Sequence, residues 1–198
     1  FTVWSNVFLN HTLPENGNFL VHGGSGGIGS TAIQIGKAMG LNVFTTVDSD
    51  ASAEFATSLG ATRTINYQTE DYVAICRDAG GMDIILDIIG GEYVARNVKA
   101  ARHDARIIQL AFNLGSKVQI DLMPIMLKRI SYTGSTLRSR PDAFKSEVAA
   151  SLKENLWPRF ADGALKCVTH AVLPLAEATQ AHQMMEAAQH HGKILLKT

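Results

Sequence analysis

The sequence predicts an α/β fold doubly wound about a parallel sheet, and three observations predict it. Strand and helix patterns alternate with almost no interruption between residues 19 and 111, as successive βαβ units do. The run 82–89 is apolar nearly throughout, which a central strand covered by helices on both faces requires. Between the first strand and the first helix stand Gly24, Gly26, Gly27 and Gly29, more glycine than a tight turn alone needs.

The elements follow in order. A first strand, 19–22, comes after the turn residues Pro14, Asn16 and Gly17. The first helix carries Ile28, Ala32, Ile35, Ala38 and Met39 and stops at Gly40, since glycine closes a helix in the left-handed conformation without steric cost. Residues 42–47 are β-branched and aromatic and form a second strand; a helix over 51–59 ends at Gly60. A third strand spans 63–66, and a helix over 70–79 runs up to Gly80 and Gly81. The fourth strand, 82–89, is followed by a helix over 93–101 and a fifth strand over 106–111. Beyond this the alternation loosens. Residues 118–120 fit either a strand or an extended loop, 122–128 is helix-like, and 130–136 reads as a sixth strand. A long helix over 141–156 ends at Trp157-Pro158, because proline cannot continue it. The tail reads as strand 168–173, helix 175–189 and strand 193–196, with Met184, Met185 and Ala188 as an apolar stripe facing the core. Residues 1–165 form one domain, and 166–198 is the segment that belongs elsewhere.

Composition narrows the function classes. Charged residues make up 18% of the chain, below the roughly 25% of an average soluble protein, as a sheet buried on both faces implies. Formal net charge is zero and there is no basic cluster, so neither nucleic acid nor an acidic membrane surface is expected as a partner. Cys76 and Cys167 are isolated thiols suited to a reducing cytoplasm. No stretch approaches the roughly 18 apolar residues of a membrane span. The chain starts at Phe1 rather than Met and enters directly into a helix-like run over 2–9, so a preceding portion is expected.

The chemistry lies in the glycine turn. Residues 24–29 satisfy G-x-G-x-x-G with a strand before and a helix after. In that context a dinucleotide pyrophosphate rests on the unpaired N–H groups of the helix N-terminus. Side chains at Gly26 and Gly27 would block the approach, and Gly29 allows close helix packing. Two other glycine-rich sites are excluded. A P-loop needs lysine where Ser30 stands. The Tyr-x-x-x-Lys pair of short-chain dehydrogenases is missing, since Asp71, Cys76, Asn97 and Thr136 follow Tyr67, Tyr72, Tyr93 and Tyr132 by four residues. Asp48 ends the second strand, 19 residues past Gly29, where a carboxylate can accept hydrogen bonds from the adenosine ribose. It would also repel a 2′-phosphate and favour NADH. Alternatively, Asp48 is a loop or helix-capping residue, as Ser49, Asp50 and Ser52 could equally be.

The run 21–29 with Ile33-Gln34 and Gly40, then 59–61, 65–67 with Glu70-Asp71, 86–91, Lys128-Arg129, 134–140, Ala181-His182 with Met185-Glu186, and 191–194 resembles quinone oxidoreductases of the zeta-crystallin type. These belong to the medium-chain dehydrogenase/reductase superfamily, and the p53-inducible quinone oxidoreductase branch is the most similar. The resemblance implies a Rossmann fold, strand order 3-2-1-4-5-6, with an upstream GroES-like catalytic domain to which the C-terminal segment returns. It implies zinc-independent hydride transfer from NADPH or NADH directly to a quinone, in a pocket between the two domains. Cofactor contacts are then expected at Gly26, Gly27 and Ile28 for the pyrophosphate. Asp48, Ser49 and Tyr67 would serve the adenosine end, with Ile89 nearby. Leu110, Ala111 and Phe112 would back the nicotinamide. No catalytic residue is assigned.

The same resemblance marks two departures. NADPH-using relatives carry glycine at the position of Asp48 and lysine at that of Ser52, so tolerance of NADH, or preference for it, is expected. Related readings are an enoyl or alkenal reductase on the same scaffold, or a nucleotide-binding module without turnover. No metal is expected: His190 and His191 are adjacent and point apart on a helix, and no partner stands at ligand spacing to them or to His182. Arg138 and Arg140 stand either near the interdomain cleft or in surface ion pairs. Lys193 resembles a family residue. The apolar sixth strand would leave a sheet edge open, and an isologous homodimer across it is expected.

Overall fold

The structure, a computed structural model, describes residues 1–187 and 190–198. Its centre is a six-stranded sheet built from β1 (Asn18–His22), β2 (Asn42–Val47), β3 (Arg63–Asn66), β4 (Met82–Asp87), β5 (Ala101–Gln109) and β6 (Ser131–Gly134). The order is β3-β2-β1-β4-β5-β6 and every neighbouring pair is parallel. The crossovers are α1 (Gly27–Ala38), α2 (Asp50–Ser58), α3 (Tyr72–Asp78), α4 (Tyr93–Ala100) and α5 (Met123–Lys128).

Period-two alternation sorts each strand between two apolar layers. Phe19, Val21, Ile84, Leu86 and Ile108 join one buried cluster, while Leu20, Ile85 and Ile107 join the other. Because both layers are apolar, the strands read as continuous hydrophobic runs, and helices must cover both faces. The order of strands reverses between β1 and β4, and the crevice that a doubly wound sheet opens at that switch point lies at the strands' C-terminal ends.

Two expectations require correction, for the fifth strand and for Met185, and two others are refined. The fifth strand begins at Ala101 and ends at Gln109, leaving Leu110 and Ala111 outside it. Met82 pairs with Ala101 and Ile84 with Arg106, so two steps on β4 face five on β5, with Asp104 at φ 60 within the bulge. Residues 118–120 are loop, without a ladder partner. Pro158 does end α6 (Asp142–Asn155), but it also opens a further helix, α7 (Trp157–Ala161), because at the first turn its missing N–H costs no hydrogen bond. Met185, expected in the core, is 54% exposed; Ala188 and Gln189 lie outside the described residues.

The ends of the chain pack back on this body. Trp4–Phe8 forms a π-helical turn with Trp4, Val7 and Phe8 buried, and the Trp4 indole donates to Ser151 Oγ on α6 (2.9 Å). The tail forms β7 (Thr169–Pro174), a 3₁₀ turn (Leu175–Glu177), α8 (Ala178–Glu186) and β8 (Lys193–Lys197). β7 and β8 pair in a separate two-stranded parallel sheet. Among the described residues no helix is long and apolar enough to cross a membrane. Cys76 is buried, its thiol pushed up to about 12 by that burial, whereas Cys167 is exposed.

Candidate functional site

The glycine turn leaves β1 at His22, reverses through Gly23 (φ 75) and enters α1 with Gly26 in the capping position. The first amides of a helix have no carbonyl one turn back to bond. The first turn of α1 carries no acidic side chain, so the positive end of its dipole is free to take an anion. The glycines differ in what they permit. A side chain at Gly26 would enter open space, where only the Gly23 carbonyl oxygen lies within 4 Å, at 3.7 Å. At Gly29 a Cβ would collide with the Gly23 carbonyl, so this glycine closes the turn upon itself. At Gly27 a Cβ would meet the end of the Lys193 side chain, with Cε 2.6 Å away. The tail therefore places a lysine over the mouth of the turn, and Gly192 N donates to Ser25 O (3.0 Å) to hold it there. The place of Lys193 over the turn is not legible in the sequence, because 166 residues separate it from Gly27.

A cavity of about 300 Å³ opens beside this turn at the C-terminal ends of β1, β2 and β4. Three of the expected cofactor residues line it: Asp48, Tyr67 and Ile89. Gly26, Gly27 and Ile28 stand outside it, represented at its wall by Gly23 and Ser25. Ser49 caps α2, accepting from Ser52 N (3.3 Å). Its hydroxyl also donates to Asp48 Oδ1 (3.1 Å). Hydrogen bonds from the Ser52 and Ser49 hydroxyls hold the Asp48 carboxyl below the usual carboxylate range. Leu110, Ala111 and Phe112 lie past β5 and do not line the cavity, whereas the next two residues, Asn113 and Leu114, do. Thr46, Val47 and Tyr93 complete the wall and were not anticipated, since nothing in local sequence marks a core-like residue as the edge of a crevice.

Beneath the cavity runs a fully paired polar network, and its proton positions follow from valence. Asn97 Oδ1 accepts from Tyr72 OH (3.0 Å) and faces His22 Nε2 (2.8 Å). An amide oxygen only accepts, so His22 carries its proton on Nε2. His22 Nδ1 is then the acceptor for the Thr46 hydroxyl (3.1 Å), which in turn accepts from Gly23 N (3.3 Å). Asn97 Nδ2 donates to Asp87 Oδ2 (2.9 Å), and Asp87 Oδ1 accepts from Ile89 N (2.6 Å) and Gly90 N (3.1 Å). The loop after β1 and the loop after β4 are thus bound to one another through buried side chains.

Burial holds the His22 pKa below its ordinary value. The unfolded chain binds a proton at His22 first, so this contribution to stability is complete above the ordinary histidine range and is lost as pH falls. A declining urea midpoint between about pH 7 and pH 5 is expected, and a midpoint that stays flat over that span rules the effect out.

The loop after β5 is fixed in the same manner. Gln109 Nε2 donates to Ala111 O (2.6 Å), and Tyr132 OH on β6 donates to Gln109 Oε1 (2.6 Å). Arg140 stacks its guanidinium over Phe144 at 4.0 Å. Among the described residues no three His, Cys, Asp or Glu side chains converge to hold a metal ion.

Comparisons with known proteins agree with this geometry. The family model described as "Zinc-binding dehydrogenase" matches residues 27–154. The described residues do not converge as the ligand set which that description implies. Human quinone oxidoreductase is 27% identical over 99% of this chain and 59% of its own length. A phenolphthiocerol/phthiocerol polyketide synthase of Mycobacterium tuberculosis is 26% identical over 98% of this chain and 9% of its own. The crystal structure of CurK enoyl reductase superposes with a TM-score of 0.80 at 26% identity, over 99% of this chain and 59% of that one. The chain therefore spans little more than half of the quinone oxidoreductase and a small part of the synthase. The family model covers more than half of the chain, from the glycine turn to the end of α6, and on that ground this protein belongs to the zinc-binding dehydrogenase family.

Proposed function

We propose that the chain is the cofactor-binding part of a nicotinamide-dependent reductase that passes hydride to a quinone. The observation that carries this reading is a helix N-terminus free of acidic side chains, with the Lys193 ammonium beside it, next to a cavity lined by Asp48, Tyr67 and Ile89. The pyrophosphate would rest on Gly26, Gly27 and Ile28, with Lys193 as a counter-charge. The adenosine would lie between Asp48, Ser49 and Tyr67. The nicotinamide would extend past Ile89 to the backbone of Leu110, Ala111 and Phe112, which Gln109 steadies. When bound, the cofactor supplies the hydride, and the protein's contribution is position.

Residues 1–165 are proposed as the dinucleotide-binding unit and 166–198 as a segment shared with a catalytic domain. In support, a groove of about 650 Å³ between α1, α7 and the tail is lined by Trp4, Trp157, Phe160 and Val168, an apolar face suited to a second domain. A homodimer across β6 is also proposed: Tyr132 is 39% exposed on that strand, and Met126 and Leu127 on the adjoining α5 are 68% and 61% exposed. The similarity to CurK enoyl reductase and to a polyketide synthase favours a second reading, reduction of an enoyl thioester on the same scaffold.

Asp48 leads us to expect that NADH binds at least as tightly as NADPH near pH 8, since a lost charge-assisted contact weakens binding by about 1.5–3 kcal/mol. Fluorescence titration of both cofactors checks this, and NADPH binding tighter by about tenfold or more overturns it. Cofactor oxidation driven by 1,4-benzoquinone but not by crotonyl thioesters supports the first substrate, and the reverse supports the second.

A further inference from the structure

Ser52 is 3% exposed on α2, one turn past Asp48, and its hydroxyl faces the imidazole Nε2 of His191 at 3.4 Å. The His191 ring stacks on Phe55 of the same helix, with centroids 4.7 Å apart and planes 22° apart. Its backbone N–H donates to His170 Nδ1 on β7 (3.4 Å). His191 is thus held between α2 and β7, within electrostatic reach of the Asp48 carboxyl. The titratable groups facing it are Asp48 from the β2–α2 connection and His170 from β7, with His190 preceding it in the chain. We infer that His191 is the specificity-determining residue for the adenosine end of the cofactor, its imidazolium offering the positive charge that allows a 2′-phosphate to be accepted beside Asp48.

The inference rests on the placement of the dinucleotide proposed above. Asp48 alone disfavours a 2′-phosphate by charge repulsion. A neutral imidazole leaves this repulsion in force, and an imidazolium offsets it. A bound phosphate dianion stabilises the imidazolium, so by linkage NADPH affinity rises as pH falls. NADH lacks the phosphate and serves as the internal reference. Cofactor choice would then follow pH, with NADH preferred on the alkaline side and the preference relaxed on the acid side.

The test is a pair of fluorescence titrations, NADPH and NADH, on the 198-residue chain from about pH 5.5 to about pH 8.5. The ratio of dissociation constants, NADPH to NADH, is expected to fall about tenfold towards the acid end, as a charge-assisted contact forms. In His191→Gln that fall is lost. In His191→Lys the ratio stays low at every pH except for the phosphate's own titration, which that variant measures and which is subtracted from the others. A wild-type ratio independent of pH, or one that titrates equally in His191→Gln, overturns the inference and leaves the dinucleotide site standing. If neither cofactor binds at any pH, the site assignment falls, and the inference falls with it.

Discussion

Replacing Asp87 with alanine is expected to destabilise the protein by about 3–5 kcal/mol, because it strips a buried acceptor from three donors at once. Asp87 is fully buried and takes the hydrogen bonds of Ile89 N, Gly90 N and Asn97 Nδ2. Each buried donor left without a partner costs about 1–3 kcal/mol, and neighbours do not add fully. For a domain of this size the melting temperature should fall by roughly 10 °C. Calorimetry checks the magnitude, and a drop of only a degree or two would mean that water or rearranged side chains satisfy those donors. The consequence for binding is separate. Gly90 and Gly91 sit at φ 69 and 55, and Asp87 is the side chain that fixes the amides at the start of that turn. Cofactor affinity should therefore weaken under conditions where the variant remains folded. Asp87→Asn retains an acceptor and should recover part of both losses.

Gly29→Ala is expected to be nearly as damaging by a different route. Its Cβ would overlap the Gly23 carbonyl oxygen and stand 2.8 Å from Gly23 C and Gly24 Cα. Those atoms are backbone, and Gly23 is itself held by its N–H to Thr46 Oγ1 and Gly24 by its N–H to Thr46 O (3.1 Å). The strain cannot be released by rotating a side chain, so the start of α1 must move away from the turn. Overpacking of this kind costs about 1–3 kcal/mol and sometimes more. The displaced amides should also lower dinucleotide affinity by about tenfold or more, since anion binding there depends on their convergence. Gly26→Ala is the control. Its Cβ would have no backbone atom nearer than 3.7 Å, so stability should change little while binding still suffers from the obstructed approach. Equal melting temperatures for Gly29→Ala and the wild type would show that the turn is more pliable than its packing implies.

Much of the fold was legible because its signals are local. The apolar runs 19–22 and 82–89 supply the strands β1 and β4, which are buried on both faces. Gly40 and Gly60 stand where α1 and α2 terminate, at φ 79 and 104. Where boundaries shifted, the cause was non-local. β5 extends back to Ala101 because Met82 offers it a ladder partner across a bulge. Met185 is exposed because the small β7–β8 sheet, rather than the main core, receives α8. The site divides in the same way. The G-x-G-x-x-G spacing and the strand-ending Asp48 could be read directly, whereas Thr46, Tyr93 and Asn113 could not, because residues of such types usually serve the core or loops.

What the sequence by itself determined is the parallel α/β architecture and the glycine turn, since periodicity and steric permissiveness are properties of neighbouring residues. What only the tertiary structure decided is the company those glycines and Asp48 keep. Lys193 over Gly27 and His191 against Ser52 arrive from the far end of the chain, and contacts so distant in sequence exist only once the tail has folded back across the turn. The polar surroundings of Asp48 and Ser52 are completed by a histidine that no local pattern could have placed there.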